Sequence, residues 1–159
     1  MNISGAMTAI ATPMFEDGSI DYDSLDKLID FQIENSISAI VAVGTTGESA
    51  TIDFEEHISL LEYFVKYIKG RVTLIAGTGA NSTIEALELT KSAKDAGADA
   101  ALLVSPYYNK PTQEGLFQHH TKIADEVDLP QILYNVPSRT ASFIEAETVA
   151  RLSSHKNII

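Results

Sequence analysis

The stretch that decides the fold is Ala39-Ile40-Val41-Ala42-Val43, followed by Gly44-Thr45-Thr46-Gly47-Glu48. The first five residues form an uninterrupted apolar run rich in β-branched side chains, which is typical of a strand buried on both faces of a parallel sheet. In α/β folds the ligand lies at the carboxyl ends of such strands, so Thr45 and Thr46 are candidate ligand-binding residues. Their hydroxyl groups and the flanking glycine amides can hold a small carboxylate. The alternative is a tight strand-to-helix turn in which the threonines only cap the helix.

Length and composition limit the kind of protein. The chain has 159 residues, 45% of them hydrophobic and 21% charged, which fits one globular domain. Its formal net charge of -11 disfavours nucleic acid as a partner. No apolar run has the length of a membrane span, and the first residues lack the pattern of a secretory leader, so a cytoplasmic location without a membrane partner is predicted. The absence of cysteine excludes disulfides, a thiolate nucleophile and cysteine-bound metal, and no metal or cofactor is expected.

Strand and helix patterns alternate along the whole chain. Strand starts recur at intervals of roughly 30 residues, the length of one βα unit. The predicted strands cover residues 6–12, 39–43, 72–76, 100–104 and 131–135, and a sixth begins at residue 157. Amphipathic helices are predicted between them, the first ending near residue 35 and the fifth spanning about residues 145–153. Asp53 and either Asn81 or Ser82 are expected to cap the second and third helices, and Gly97 to end the third.

Strict alternation of this kind means a parallel sheet, either closed into a (β/α)8 barrel or open and doubly wound. Five units would suit an open flavodoxin-like sheet. Against that arrangement, the Gly77-Thr78-Gly79 sequence does not continue as a dinucleotide fingerprint, because the third glycine would fall at Ser82. Polar, aromatic and glycine residues also gather after four successive strands, as they do at a barrel rim. The predicted fold is therefore a (β/α)8 TIM barrel, of which the chain supplies five βα units and the start of the sixth strand.

Four motifs at the predicted strand ends carry a resemblance to a known family. They are Gly44-Thr45-Thr46-Gly47-Glu48, Ala76-Gly77-Thr78-Gly79, Pro106-Tyr107-Tyr108-Asn109-Lys110-Pro111 and Tyr134-Asn135-Val136-Pro137-Ser138-Arg139-Thr140. Together they closely resemble the dihydrodipicolinate synthase family of pyruvate-dependent class I aldolases. The first motif is shared with relatives such as N-acetylneuraminate lyase, whereas Asn-Val-Pro-Ser-Arg-Thr is characteristic of the synthases. That family folds as a (β/α)8 barrel, so residues 1–159 look like the N-terminal part of a single barrel domain.

The resemblance implies a site in which pyruvate becomes an enamine and attacks aspartate semialdehyde, giving 4-hydroxy-tetrahydrodipicolinate on the route to lysine. Thr45 then corresponds to the family's relay threonine and Thr46 to the residue that binds the pyruvate carboxylate. Tyr134 corresponds to the acid/base tyrosine. Tyr108 completes the hydroxyl relay and, in the family, reaches into the neighbouring subunit's site, which implies a homo-oligomer, a dimer of dimers. Arg139 corresponds to the arginine that receives the semialdehyde carboxylate, a role that suits its planar fork of donors.

An effector site for lysine between subunits is also implied by the resemblance. The matching positions are Ser49, Ala50, His57, Asn81, Glu85 and Tyr107. A carboxylate such as Glu85 suits the ammonium group of lysine, and Asn81 with the Tyr107 hydroxyl suits its carboxylate. Phe54 replaces a histidine of the family, so inhibition by lysine is expected to be weaker than in relatives that keep the histidine. The alternative is that these residues only pack the starts of two helices.

The chain departs from the family in ways that matter for activity. The Schiff-base lysine of the family lies on the sixth strand, a few residues beyond Ile159, so the chain as printed is expected to be inactive alone. Lys110 lies at a position that the family does not use, and Lys156 is expected at the opposite end of the sheet. Ala141 stands where many relatives have glycine.

Other interpretations stay open at this point. A pyruvate-dependent sugar-acid aldolase would use the same Schiff base with another acceptor, although Arg139 argues against it. A non-catalytic half-barrel would leave apolar edge strands unpaired and should associate through them. His119 and His120 fall in the middle of a predicted helix and are interpreted as structural residues.

Overall fold

The computed structural model describes residues 4–159 and contains one sheet of five parallel strands. The strands are β1 (Met7–Ala9), β2 (Ala39–Ala42), β3 (Thr73–Gly77), β4 (Ala100–Val104) and β5 (Gln131–Tyr134). Each strand pairs with the one that follows it in sequence, and all of these pairings are parallel. A doubly wound sheet reverses its strand order at a switch point, so the sequential order excludes that alternative. It confirms the predicted segment of a (β/α)8 barrel.

Six helices lie within the described residues. They are α1 (Tyr22–Glu34), α2 (Phe54–Ile68), α3 (Thr83–Ala96), α4 (Gln113–Glu126), α5 (Pro137–Thr140) and α6 (Ala146–Leu152). The four longest helices begin at residues whose side chains accept a backbone N–H of the first turn: Asp21, Asp53, Ser82 and Thr112. Gly97 ends α3 in the left-handed conformation, at φ 107°. The predicted caps are thereby confirmed, with Ser82 rather than Asn81 at the start of α3.

The helices form one layer on one side of the sheet. In that layer α2 packs against α3, α3 against α4 and α4 against α6. The largest apolar cluster lies between β2 and the first two helices and includes Leu25, Ile40, Leu60 and Phe64, all fully buried. The opposite face of the sheet carries a smaller cluster that includes Val41 and Ile75. Side chains alternate between the two faces of a strand, so the helices cover one set of residues and the barrel interior takes the other.

The structure differs most from the predicted elements at β1, α5 and the sixth strand. Strand β1 is shorter than residues 6–12 because the chain leaves the sheet after the bond from the Ile10 N–H to the Val41 carbonyl, and Pro13 has no N–H to extend the ladder. Helix α5 lies in a segment for which no helix was predicted. The sixth strand is represented by a single parallel bridge between Gln131 and Ile158.

His119 and His120 lie in the buried face of α4. The Nδ1 atom of His119 lies 2.8 Å from the hydroxyl of Thr83 at the start of α3, and the two imidazole rings meet edge to face at 4.9 Å. The His120 side chain is 0% exposed, and neither of its ring nitrogens has a hydrogen-bond partner among residues 4–159. Burial lowers the pKa of His119 to about 4, and burial together with the charge of His119 lowers the pKa of His120 to about 3. Both rings are neutral packing residues near pH 7, as the sequence indicated.

The buried histidines make stability depend on pH. The pKa of each histidine is lower in the folded chain than in the unfolded chain, so the unfolded chain binds more protons once the pH falls below about 6.5. The stabilisation from the two neutral histidines is therefore fully present above about pH 6.5 and is lost as the pH falls toward their pKa values in the folded chain. Between pH 7 and pH 5 each histidine should contribute a loss of about 2 kcal/mol in the free energy of unfolding. Urea unfolding at both pH values should show a smaller loss for His120→Phe than for wild type. Equal losses in the two proteins would contradict the assignment.

Candidate active site

The turn after β2 is held in place by bonds that reach other strand ends. The buried hydroxyl of Thr12, which follows β1, donates to the Gly47 carbonyl at 2.8 Å. Val43 has a φ of 50°, a strained conformation for a β-branched residue, and it redirects the chain at the end of the strand. A side chain at Gly47 would meet the Val43 backbone at 3.1 Å and the Ile10 carbonyl at 3.2 Å. The turn that carries Thr45 and Thr46 is thus fixed against its neighbours.

The glycines after β2 and β3 allow neighbouring strand ends to approach closely. A Cβ atom at Gly77 would lie 2.4 Å from the Val43 carbonyl oxygen, and one at Gly79 would lie 2.2 Å from the Val104 nitrogen. Both obstacles are backbone atoms, which cannot move aside cheaply. This close packing accounts for the Gly-x-Gly sequence that does not fit a dinucleotide fingerprint.

Two cavities lie where the strands end. The inner cavity, with a volume of about 10 Å³, is lined by nine residues: Val43, Gly44, Thr45, Ser49, Gly77, Gly79, Leu102, Val104 and Tyr134. The outer cavity, with a volume of about 320 Å³, is lined by Thr45, Glu48, Ser49, Ala50, Thr51, Val104, Tyr107, Val136, Arg139 and Thr140. Thr45, Ser49 and Val104 line both cavities, while Tyr134 lines only the inner cavity and Arg139 only the outer one. This arrangement can place a small carboxylic acid beside two hydroxyl groups, with a guanidinium at the mouth.

Three of the five predicted substrate-site residues are brought together by the fold and two are not. Thr45 and Tyr134 line the inner cavity, and Thr45 and Arg139 line the outer one. Thr46 is exposed and lines neither cavity. Tyr108 is 89% exposed, has a φ of 70° and also lies outside both cavities. Within this chain the hydroxyl groups of Tyr108 and Tyr134 therefore do not share a cavity.

Three of the six residues predicted for a lysine site line the outer cavity: Ser49, Ala50 and Tyr107. Burial raises the pKa of the Tyr107 hydroxyl, and the negative charge of Glu85 raises it further. The Asn81 carbonyl accepts a hydrogen bond of 3.0 Å from the Asn109 side chain.

His57 plays a different part from the other five. It is buried, and its Nε2 atom lies 2.8 Å from the Gly77 carbonyl, which can only accept, so Nε2 carries the proton. Burial lowers the pKa of this imidazole and keeps it neutral near pH 7. His57 therefore ties α2 to the end of β3 and does not line either cavity.

Sequence reasoning missed the side chains that hold the segment after β5. The Asn135 side chain bonds both backbone groups of Ile144, and the Gln113 side chain bonds Phe143, Glu145 and Thr148. Asn135 lies inside a motif that was quoted for its arginine, so its side-chain role was overlooked. Gln113 gave no signal beyond its place at the start of a helix.

Within residues 4–159, no group of three or more Asp, Glu, His or Cys side chains is placed to bind a metal ion. None of the helices in the described part of the chain has the length and apolar character needed to cross a membrane.

Sequential parallel strands and an outer helical layer define the fold of a (β/α)-barrel protein, and the polar groups at the carboxyl edge form its candidate ligand site. The chain belongs to the dihydrodipicolinate synthetase family, whose model matches residues 2–159. It is 64% identical over 157 residues to the 4-hydroxy-tetrahydrodipicolinate synthase of Pseudomonas savastanoi pv. phaseolicola, covering 99% of this chain and 54% of that protein. The chain thus spans about half the length of the relatives it matches.

Solved structures show the same partial coverage. The chloride-inhibited dihydrodipicolinate synthase from Acinetobacter baumannii, complexed with pyruvate, is 55% identical with a TM-score of 0.97, and the match covers 99% of this chain and 54% of that one. The dihydrodipicolinate synthase from Cyanidioschyzon merolae with lysine bound is 41% identical with a TM-score of 0.93, covering 97% of this chain and 53% of that one. The five βα units described here therefore have the fold of roughly half of those proteins.

Proposed function

We propose that the protein carrying this chain is a lyase that condenses pyruvate with aspartate semialdehyde to 4-hydroxy-tetrahydrodipicolinate in lysine biosynthesis. The observation that carries the proposal is that the two cavities share part of their walls. Thr45, Ser49 and Val104 line both. The hydroxyl-bearing Thr45 therefore lines the inner cavity with Tyr134 and the outer cavity with Arg139. Two relatives named 4-hydroxy-tetrahydrodipicolinate synthase are 63% and 64% identical to this chain, and the structure of a relative that is 55% identical contains pyruvate. Residues 1–159 then form the N-terminal part of one barrel domain.

In this proposal the inner cavity is where proton transfer occurs. The enamine of pyruvate forms on a Schiff-base lysine of the sixth strand, beyond Ile159. Neither lysine near the site in sequence replaces it, because Lys110 is exposed on a loop and the ammonium of Lys156 donates to Asp128 at 3.1 Å, before β5 begins. Tyr134 exchanges protons with the reacting carbon and its leaving oxygen, and Thr45 passes them on through its hydroxyl. Thr46 binds the pyruvate carboxylate after its exposed side chain has turned toward the bound substrate.

The outer cavity is proposed to receive the second substrate. Arg139 stands at its wall, and within residues 4–159 its guanidinium takes part in no ion pair. A free guanidinium can bind the carboxylate of aspartate semialdehyde through two parallel hydrogen bonds. The competing reaction is cleavage of a sugar acid such as N-acetylneuraminate. The aldehyde that this cleavage releases together with pyruvate is an uncharged sugar, which has no carboxylate for the Arg139 guanidinium to bind.

Substrate choice is tested on the full-length protein by comparing two activities. Initial rates of pyruvate condensation with aspartate semialdehyde should exceed the rates of N-acetylneuraminate cleavage at every enzyme concentration. A higher rate with N-acetylneuraminate would contradict aspartate semialdehyde as the second substrate, but it would still agree with a Schiff-base mechanism. No activity in either assay would favour the non-catalytic half-barrel.

We also propose a cytoplasmic homo-oligomer, a dimer of dimers. Tyr108 supports the dimer because it combines 89% exposure with a left-handed φ of 70°, and a strained exposed aromatic residue costs free energy unless a partner covers it. In such a dimer Tyr108 reaches the neighbouring subunit's cavity and joins the relay of Thr45 and Tyr134. This placement accounts for its distance from both cavities in its own chain.

Lysine is proposed as an inhibitor that binds near the outer cavity, beside Ser49, Ala50 and Tyr107. The lysine-bound structure from Cyanidioschyzon merolae supports this proposal. Glu85, exposed on the first turn of α3 and close to Tyr107, is the partner of the effector's ammonium group. Asn81 belongs to the same site. His57 does not contact the effector and instead supports the site by bonding the Gly77 carbonyl. The missing histidine at Phe54 makes inhibition several-fold weaker than in relatives that keep it.

Replacing Glu85 with Gln should raise the lysine concentration needed for half-inhibition by about tenfold or more, because a charge-assisted hydrogen bond is lost. Titration of lysine against initial rate measures the change. Glu88→Gln is the matched control, since Glu88 lies on the same helix one turn further on and is also exposed. Full activity of wild type at millimolar lysine, or equal shifts in the two variants, would show that Glu85 is not part of an effector site.

A further inference from the structure

The segment that carries Arg139 is closed by a side-chain bridge across nine residues. The Asn135 amide nitrogen donates to the Ile144 carbonyl at 3.2 Å, and the Ile144 N–H donates to the Asn135 amide oxygen at 3.1 Å. Asn135 directly follows Tyr134, the last residue of β5. The end of one strand thus carries both an acid/base candidate and the residue that forms the bridge.

A second bridge reinforces the same segment from α4. The Gln113 amide donates to the Phe143 carbonyl at 2.7 Å, and its oxygen accepts from the Glu145 N–H at 3.1 Å and from the Thr148 hydroxyl at 2.7 Å. Three consecutive residues, Phe143, Ile144 and Glu145, are therefore each bonded by one of two side chains.

Helix α5 is too short to fix the position of Arg139 by itself. Among the described residues, its only internal side-chain support is the Thr140 hydroxyl, which contacts the Val136 and Ser142 backbone. The helix has four residues and no side-chain cap at its start, and a helix of this length is not stable by itself. It ends at Ala141 in the left-handed conformation, where the chain turns back toward the two bridges. Since the Arg139 side chain has no ion pair among the described residues, the backbone of this loop decides where its guanidinium stands.

We propose that Asn135 is a positioning residue for Arg139, closing the loop 136–144 so that the guanidinium faces the outer cavity. The catalytic consequence rests on the proposed function, in which Arg139 binds the second substrate. Loss of the bridge then weakens binding of aspartate semialdehyde and leaves the turn after β2, where Thr45 and Thr46 meet pyruvate, unaffected.

A double-mutant cycle on the full-length protein separates this role from a general structural one. Asn135→Ala should raise the KM for aspartate semialdehyde by about tenfold, because two hydrogen bonds of the bridge are lost. The KM for pyruvate should stay within about twofold of wild type. In an Arg139→Ala background the same substitution should change the KM for the semialdehyde by less than about twofold, since the residue acts only through the arginine. An equal rise in both backgrounds would overturn the proposal.

A conservative variant and a matched control complete the test. Asn135→Asp keeps the oxygen that accepts from Ile144 and loses the donor, so it should give a smaller rise than Asn135→Ala and carries the test if the alanine variant does not fold. Asn35→Ala is the matched control, because the Asn35 side chain also donates to a backbone carbonyl, that of Phe31, at the end of α1. Its KM values should equal those of wild type, and a tenfold rise there would overturn the proposal.

Amide hydrogen exchange tests the bridge without relying on activity. Exchange in residues 136–145 should be faster in Asn135→Ala than in wild type, with exchange in α1 to α3 unchanged. Unchanged exchange in 136–145 would overturn the proposal. If wild type shows no condensation activity but Asn135→Ala loosens this segment, the proposed function fails while the bridge is supported.

Discussion

Replacing Tyr134 with Phe is expected to lower kcat/KM for the condensation by about 10²- to 10⁴-fold, the range that loss of a general acid/base produces. Tyr134 lines the inner cavity together with Thr45 and the glycines at the ends of β2 and β3. Phenylalanine keeps the aromatic ring and removes only the hydroxyl that we propose exchanges protons. Steady-state rates with both substrates measure the effect on the full-length protein.

Tyr63→Phe is the matched control for that substitution. The Tyr63 hydroxyl donates to Asp26 at 2.8 Å between α2 and α1, on the outer layer of helices. Its loss should change kcat/KM by less than about twofold, because neither residue contacts the strand-end cavities. A Tyr134→Phe variant within threefold of wild type would show that this hydroxyl takes no part in the chemistry.

Replacing Gly79 with Ala should have the largest effect on stability, a loss of more than about 4 kcal/mol in the free energy of unfolding. The added Cβ would lie 2.2 Å from the Val104 nitrogen and 2.7 Å from its carbonyl oxygen. Both atoms belong to β4, whose position is fixed by its pairing with β3 and β5. A loss of that size approaches the whole stability of an ordinary domain, so the variant should be largely unfolded by circular dichroism and urea titration.

Gly70→Ala serves as the control for this second substitution. Gly70 has a φ of 71°, and no atom lies within 4 Å of an added Cβ, so only backbone strain of about 1 kcal/mol is expected. Its unfolding midpoint should shift slightly. A Gly79→Ala variant as stable as Gly70→Ala would mean that the strand ends do not approach as closely as the structure shows.

The order of strands and helices could be predicted because local patterns encode it. The run at Ile40 and Val41 is apolar on both faces of the strand. Aspartate is favoured at the start of a helix, where Asp53 lies, and glycine just after the end of a helix, where Gly97 lies. Sequential pairing followed from the regular βα repeat. Helix α5 was missed because it is a four-residue turn whose only helical sign is Pro137 at its first position.

The candidate site was predictable as a set of motifs and not as a geometry. Thr45, Tyr134 and Arg139 were named from the sequence, and the fold brings them to connected cavities. The roles of Asn135 and Gln113 depend on contacts across nine and more than thirty residues, which no local pattern reveals. Tyr108 and Thr46 lie outside the cavities of their own chain, so their predicted roles depend on a partner subunit or on substrate.

The central claim is that this chain builds part of a site where pyruvate becomes an enamine. The most direct measurement is borohydride reduction of the full-length protein in the presence of pyruvate, followed by mass spectrometry of the intact chain and of its peptides. We expect one reduced pyruvate adduct per chain, on a lysine beyond residue 159, with no adduct when pyruvate is omitted. A protein that remains unmodified with pyruvate and borohydride, or that carries the adduct on Lys110 or Lys156, would contradict this claim.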